Sequence, residues 1–487
     1  MTRSNERGIA MVMALFMVLI LSVVGSSLMF VSQTETWAST NYRLASQSRY
    51  GAESGLHVAT NHLLNTYEPP DTAAELAAYD RTVSPVTIVG GGPVVLSSDP
   101  DVPSNYPDAA VAAAYAAATT GSLNVTNGTA SYTTRATLKS MRRITEPYSG
   151  VPTTIQSWEI VSTGTVPGPR DSQVDVSATI EREVNPAFAY AAFATASGCG
   201  ALSLAGGAQT NSYDSSALLV AGVPVISNTA GNLGTNGNLT GAGNTTTVNG
   251  TLSTPRSGVG NCTANNVTAA NLNGASVTGG LAELSQPVTY PTPEAPSPLP
   301  PTSTQSFTQS GGCGGMTNCA PSAGGATITP SCATCKVTLG NMSLTGSAVL
   351  VLHAGTYVIN SLAMAGTSKI VVAGGPVIFQ VAGVGVATPI QIAGNGISNA
   401  TYDPTQLQFV YAGTGNISLT GGADTAALVY APNATASFAG ASTDFYGAII
   451  TNRLTTNGAK IHYDRRLQTS AMTAGNFMMS AFSWKAY

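Results

Sequence analysis

From Ile9 to Val31 the chain carries no charged residue. A helix of roughly 23 residues rising about 1.5 Å each spans a hydrocarbon core of about 30 Å. The apolar run does not end at a small-residue cleavage site. It passes into SQTETWASTNYRLASQSRYGAESGLHVATNHLL, where Ala45, Ala52, Leu56, Ala59 and Leu63 recur at helical spacing and no proline occurs before Pro69. The pattern predicts one helix from Ile9 to about Asn65, apolar in its first half and amphipathic in its second.

After the helix the period changes. Asp108 followed by AAVAAAYAAA predicts a short capped helix. The stretches ASYTTRATLKSMRRI, IQSWEIVSTGTV and SQVDVSATIEREV alternate with a period of two and are separated by the turn-rich EPYSGVPTT and PGPRD. They predict an antiparallel meander that covers the Ala/Leu stripe. From Ala191 a shorter unit recurs, apolar-any-apolar-any-Gly. It reads Leu202–Gly206, Met342–Gly346, Leu362–Gly366, Ile390–Gly394, Ile417–Gly421, Ala436–Gly440 and, less regularly, Leu454–Gly458. Gly346 and Gly366 are 20 residues apart, Gly421 and Gly440 19, Gly440 and Gly458 18. A second strand recurs at the same interval as Phe409–Tyr411, Leu428–Tyr430 and Ala448–Ile450. Two short strands in every 20 or so residues predict a parallel β-helix.

The fold class expected is therefore mixed, α+β followed by all-β: a long amino-terminal helix (9–66), a small antiparallel head (67–190), and a β-solenoid in two parts (191–283 and 311–487). The Pro-rich QPVTYPTPEAPSPLPP lies in the linker or excursion 284–310. Phe477, Phe482, Trp484 and Tyr487 are expected to form a hydrophobic cap on the last coil.

Composition sharpens this picture. Only 9% of the 487 residues are charged and the formal net charge is −4, so a nucleic-acid partner has no electrostatic basis. All six cysteines (Cys199, Cys262, Cys313, Cys319, Cys332, Cys335) follow residue 190. In an exported chain they make three disulfides, with fifteen connectivities open. A zinc site from the last four is disfavoured by the five residues between Cys313 and Cys319.

Carboxylates are few beyond residue 190, which argues against glycan cleavage, a reaction that needs convergent acids. Asp424, Asp444 and Asp464 recur every 20 residues and would stack on adjacent coils, either as corner caps or as a weak calcium site. The expectation is of no enzyme and no cofactor.

Two motifs carry a family resemblance. Arg7-Gly8-Ile9-Ala10-Met11-Val12, a charged leader ending in Gly before the apolar run, and Tyr50-Gly51-Ala52-Glu53-Ser54-Gly55-Leu56 resemble the PilX-type minor pilins of type IV pili. The resemblance implies a leader (1–8) cut between Gly8 and Ile9 by prepilin peptidase, with methylation of the new amino terminus. It implies passage from the inner membrane into a filament at the cell surface, and as partners other pilins and the inner-membrane assembly machinery. A surface glycan or a protein is the ligand class for the solenoid. Met13, fifth from Ile9, stands where most pilins carry glutamate, and with Glu53 it is assigned to filament assembly. Its lack of charge favours a tip position and is shared with the K-type pseudopilin of type II secretion, the alternative; a tethered polysaccharide-active enzyme is the other.

Overall fold

The computed structural model describes residues 6–126, 128–145, 152–168, 171–322, 324–332, 335–420, 425–440 and 443–486. They divide into two compact units. The first takes in the described residues up to Ile144, Pro152–Val184 and those from Ala474; the second holds Asn185–Thr473. The chain thus leaves the first unit, builds the second, and returns.

The first unit begins with a single helix, Glu6–Asn65. A second helix, Ala109–Thr119, starts where Asp108 accepts bonds from the amides of Ala110 and Val111. The three expected strands run Gly128–Thr145, Pro152–Val166 and Ser172–Pro186. The last two pair antiparallel from Ser157↔Glu181 to Val166↔Ser172. The sheet order is Val95–Ser97, Gly128–Thr145, Pro152–Val166, Ser172–Pro186 and finally Met472–Ala486.

That fifth strand corrects the expected cap. The tail carrying Phe477, Phe482 and Trp484 does not close the parallel stack; it extends the head sheet beside Ser172–Pro186, and Ser177 and Ser483 share a hydroxyl bond of 2.8 Å. Tyr487 lies outside the described residues. An alternating strand pairs equally well at either edge, so its pattern does not say which sheet it joins.

In the second unit the recurrent strands stand in parallel columns. The Gly-terminated motif forms one of them: Met342 pairs with Leu362, Leu362 with Ile390, Ile390 with Ile417, Ile417 with Ala436, and Ala436 with Leu454. Among the described residues the motif glycine takes a positive φ, as at Gly366 (φ 71°), where a Cβ would also lie 2.7 Å from the Gly346 carbonyl; Gly421 lies outside the described residues. The other recurrent strand forms a second column, with Tyr357, Phe379, Phe409, Val429 and Ile449 in register. The rings of Phe379 and Phe409 stack at 5.0 Å. One buried cluster runs through the whole unit.

The order of the stack is not the order of the chain. Ala192–Ala194 pairs with Ile449–Thr451, Leu202–Ala205 with Leu454–Asn457, and Gln209–Tyr213 with Lys460–Asp464. The first part, 191–283, therefore continues the stack from the end of the second part. The Pro-rich segment then runs back along the columns: Val288 exchanges bonds with the Asn236 side chain, Tyr430 Oη donates to Pro291 O at 2.6 Å, and Asn341 Nδ2 donates to Thr302 O at 2.6 Å. Entry and exit of the unit lie side by side, with Ala187 N donating to Ala471 O at 2.8 Å.

The cysteines pair as Cys199–Cys262, Cys313–Cys319 and Cys332–Cys335. The first closes a loop of 63 residues, the others loops of 6 and 3. Chain entropy assigns the first about 4 kcal/mol and the last about 1.5 kcal/mol. Replacing Cys199 and Cys262 by Ser is expected to lower the melting temperature of the detergent-solubilised chain clearly more than replacing Cys332 and Cys335; equal losses in thermal melts would contradict this ranking.

Candidate functional site

The long helix presents two different surfaces. From Ile9 to Ser39 every residue is exposed, including Met13 at 69%. The segment from Ile9 is apolar and long enough to cross a membrane. Its hydroxyls do not break that character. Ser26 donates to Ser22 O, Thr34 to Phe30 O and Thr36 to Ser32 O, all at 2.8–2.9 Å, so these three hydroxyls are satisfied one turn back.

Beyond that point one face is covered by the sheet. Ala52, Leu56, Ala59 and Leu63 are all buried, as their spacing requires. The approach is closest where glycines meet. A Cβ on Gly164, in the Pro152–Val166 strand, would lie 2.5 Å from Ala52 N and run into the Ser48 carbonyl. One on Gly55 would meet Tyr132 at 2.6 Å and the Ser162 hydroxyl, and one on Gly51 would press on Ala130 at 3.1 Å. Nearby, Ser48 donates to Ser172 O at 2.8 Å and Gln47 to Thr126 O at 2.9 Å.

At its far end the helix is held by a buried polar knot: Gln156 Oε1 accepts from Tyr67 Oη at 2.9 Å and Trp158 Nε1 at 3.0 Å. His62 is buried with its ring edge-on to Tyr115, and burial lowers its pKa. Glu53 binds Arg49 at 2.8 Å on the same helix, half-exposed. Among the expected assembly residues, Met13 thus lies on the uncovered surface and Glu53 on the sheet-bearing part of the helix. Gly164 went unnoticed in the sequence, where a lone Gly inside a strand pattern is its only signal.

The acidic ladder does not form as expected. Asp424 lies outside the described residues. Asp444 sits in register with Lys460, not with Asp464, and is 3.6 Å from His462 Nε2. Asp464 pairs with Tyr213, and its Oδ1 accepts from the amides of Ser215 and Arg466, both at 3.1 Å. The step from Asp444 to its partner is 16 residues, from 444 to 460, because this coil is shorter than the others. Asp464 serves as a corner acceptor. Among the described residues no three His, Cys, Asp or Glu converge on a metal-sized site.

Burial pushes the Asp464 carboxyl above its usual range, against the pull of Ser215 and the Arg466 amide. A raised value stabilises the fold fully only below the unfolded pKa and is lost as pH rises through the folded one. Asp464→Asn keeps the acceptor oxygen and removes that loss. Its melting temperature is expected to exceed the wild type's at pH 7, with the gap closing toward pH 4; a gap independent of pH would contradict a buried, titrating carboxyl.

Residues 7–57 match the PilX N-terminal family, and residues 358–470 match a domain family of unknown function, DUF7305. No curated protein matches the chain. Among solved structures, the competence-associated pilin ComZ from Thermus thermophilus is similar at 14% identity and a TM-score of 0.31, over 91% of this chain and 98% of its own. The exposed apolar helix and the Gly51–Leu56 motif docked on a sheet fall within the residues that match: over residues 7–57 the amino-terminal segment of this chain is similar to the PilX N-terminal family.

Proposed function

We propose that the chain is cut between Gly8 and Ile9 by prepilin peptidase and built into a type IV filament, at or near its tip, as a minor pilin displaying a β-solenoid for adhesion. The observation that carries this reading is the helix: apolar from Ile9 to Val31 and uncovered as far as Ser39, then clamped to a folded head by close glycine contacts. The uncovered half fits a bilayer first and neighbouring subunit helices later.

Parallel columns of strands about 20 residues apart, with a continuous core inside, support the solenoid. Its outer positions are mostly Thr, Ser and Asn, a surface suited to hydrogen-bonded recognition of a glycan or a protein. We read it as a binding surface and not as an enzyme, since its acids cap corners and form ion pairs, as Asp464 and Asp403 do.

Met13 supports the tip. A glutamate there is costly in lipid, by about 2.5–3.5 kcal/mol, and is tolerated in shaft subunits because it pairs with a neighbour's amino terminus. A methionine cannot make that pairing. The same feature fits a K-like pseudopilin of type II secretion, which surface exposure of the solenoid on intact cells would argue against.

Immunogold labelling of native filaments is expected to mark tips, with few copies relative to the major subunit, and Met13→Glu to move label onto the shaft. Uniform shaft decoration in the wild type would contradict tip placement.

A further inference from the structure

Lys369–Val372 and Ile397–Ser398 are neighbouring parallel strands of the second unit, with Ile370 in register with Ile397 and Val371 with Ser398. Ile370 and Ile397 are buried in the core, so the alternation turns Lys369, Val371 and Ser398 outward. Over this outer face lies a groove of about 520 Å³, within the range of about 300–1,000 Å³ usual for small-molecule sites. Leu219 and Gly222, from the excursion the chain makes between Tyr213 and Leu233, also line it. Ile397 and Ala426 are buried behind it, which leaves an accessible lining that is mostly polar, with Lys369, Asn395 and Ser398 among it.

Three features set this groove apart from the rest of the surface. Cations are scarce: between residues 185 and 473 there are three lysines and four arginines. Arg256 and Arg453 donate to backbone carbonyls and Arg466 to Asp403, whereas Lys369, the groove's one charged lining residue, makes no ion pair among the described residues. Second, polar groups are left over. Asn395 Nδ2 donates to Thr367 O at 3.2 Å, but its Oδ1 and the Ser398 hydroxyl have no partner among the described residues. Third, Tyr402, the only aromatic lining residue, is half-buried and held at φ 54°, a conformation unfavourable to a residue with a Cβ. Tyr213 Oη donates to its carbonyl at 2.7 Å and its ring meets Tyr446 edge-on at 4.9 Å. Asn399 braces the same loop, its Nδ2 donating to Asp403 O at 2.6 Å and its Oδ1 accepting from the Thr401 hydroxyl at 2.8 Å.

We infer that the groove binds an acidic saccharide: a carboxylate on the Lys369 ammonium, hydroxyls on Ser398 and Asn395, and the C–H face of a sugar ring on Tyr402. This rests on the reading of the second unit as a displayed binding surface, and it names the ligand class and the place. An ammonium donates and never accepts, so it selects the carboxylate, and a charge-assisted bond is the strongest single contact on offer. The carboxylate nearest in sequence does not compete, since Asp403 is engaged by Arg466 at 3.0 Å and by the Thr405 amide at 3.0 Å. An acidic peptide fits less well. Extended peptides bind by adding a strand to a free edge, and here Thr425 Oγ1 already meets Ile397 N at 3.4 Å.

The test measures binding of the detergent-solubilised full-length chain to fluorescent oligosaccharides of galacturonic, glucuronic and sialic acid, to their carboxyl-reduced neutral counterparts, and to oligoglutamate. At least one acidic saccharide is expected to bind. Its affinity should fall about tenfold or more on carboxyl reduction or in Lys369→Gln, as loss of a charge-assisted bond requires, and should persist in Lys369→Arg. Ser398→Trp, which fills the groove, should abolish binding. Unchanged melting temperatures establish that the variants are folded. Absence of binding by every acidic saccharide, equal binding of acid and reduced forms, equal binding of oligoglutamate, or indifference to both Lys369→Gln and Ser398→Trp would overturn the assignment. Filament attachment that is lost on deletion of the gene but intact in Lys369→Gln would overturn the groove and leave the display reading standing; a solenoid hidden from antibody on intact cells would overturn that reading, while the binding assay with purified chain still decides the groove.

Discussion

The first unit depends on the close contact between its long helix and two strands of its sheet, Gly128–Thr145 and Pro152–Val166. Gly164 lets the helix backbone come within a distance that no side chain would permit, Gly51 and Gly55 leave room for Ala130, Tyr132 and Ser162, and Ser48 and Gln47 tie the helix down nearby. The strand so engaged, Pro152–Val166, lies between Gly128–Thr145 and Ser172–Pro186 in the middle of the sheet. Its neighbour Ser172–Pro186 leads into the parallel unit, and the strand beyond, Met472–Ala486, leads out of it. The head is thus completed only after the whole parallel unit has been made. A residue larger than Gly at 164 would disturb the helix and the sheet together.

The permuted stack follows from the chemistry of parallel rungs. Each coil offers the same inward apolar positions and the same free backbone edge, so any coil is able to sit on any other, and the ends decide the order. The edge at Gly325–Ile328 is blocked: Cys319–Ser322 pairs antiparallel to it, and the Cys313–Cys319 disulfide sits beside it. The edge at Leu454–Asp464 is open and receives residues 192–213. The proline-rich segment connecting the two parts suits its path. Proline offers no N–H to a ladder, so the segment lies along the columns as a strap held by side chains of Asn236, Asn341 and Asn433 instead of joining them.

Much of this was legible in the sequence, for identifiable reasons. The helix was readable because 60 residues lack a proline, and the head strands because polar and apolar residues alternate cleanly. The recurrent Gly motif marked one column because its described glycines, such as Gly346, Gly366 and Gly394, take the positive φ of a tight corner. What local pattern cannot carry is which edge meets which. The tail of alternating residues fits a cap or a head sheet equally, and the stack order depends on the blocked end, not on any one coil. The even spacing of Asp424, Asp444 and Asp464 misled because coil length is not constant: Asp444 meets Lys460. Gly164 was invisible because its meaning lies in Ser48 and Ala52, over a hundred residues earlier.

In the proposed function the apolar helix is a filament element released from a cut leader, not a permanent membrane anchor. Mass spectrometry of the amino-terminal peptide, taken from this protein in filaments sheared from cells and freed of membrane, tests it most directly. The account predicts a peptide that begins at Ile9 with a methylated amine. A peptide that begins at Met1, or absence of the protein from sheared filaments while it persists in the membrane, would contradict it.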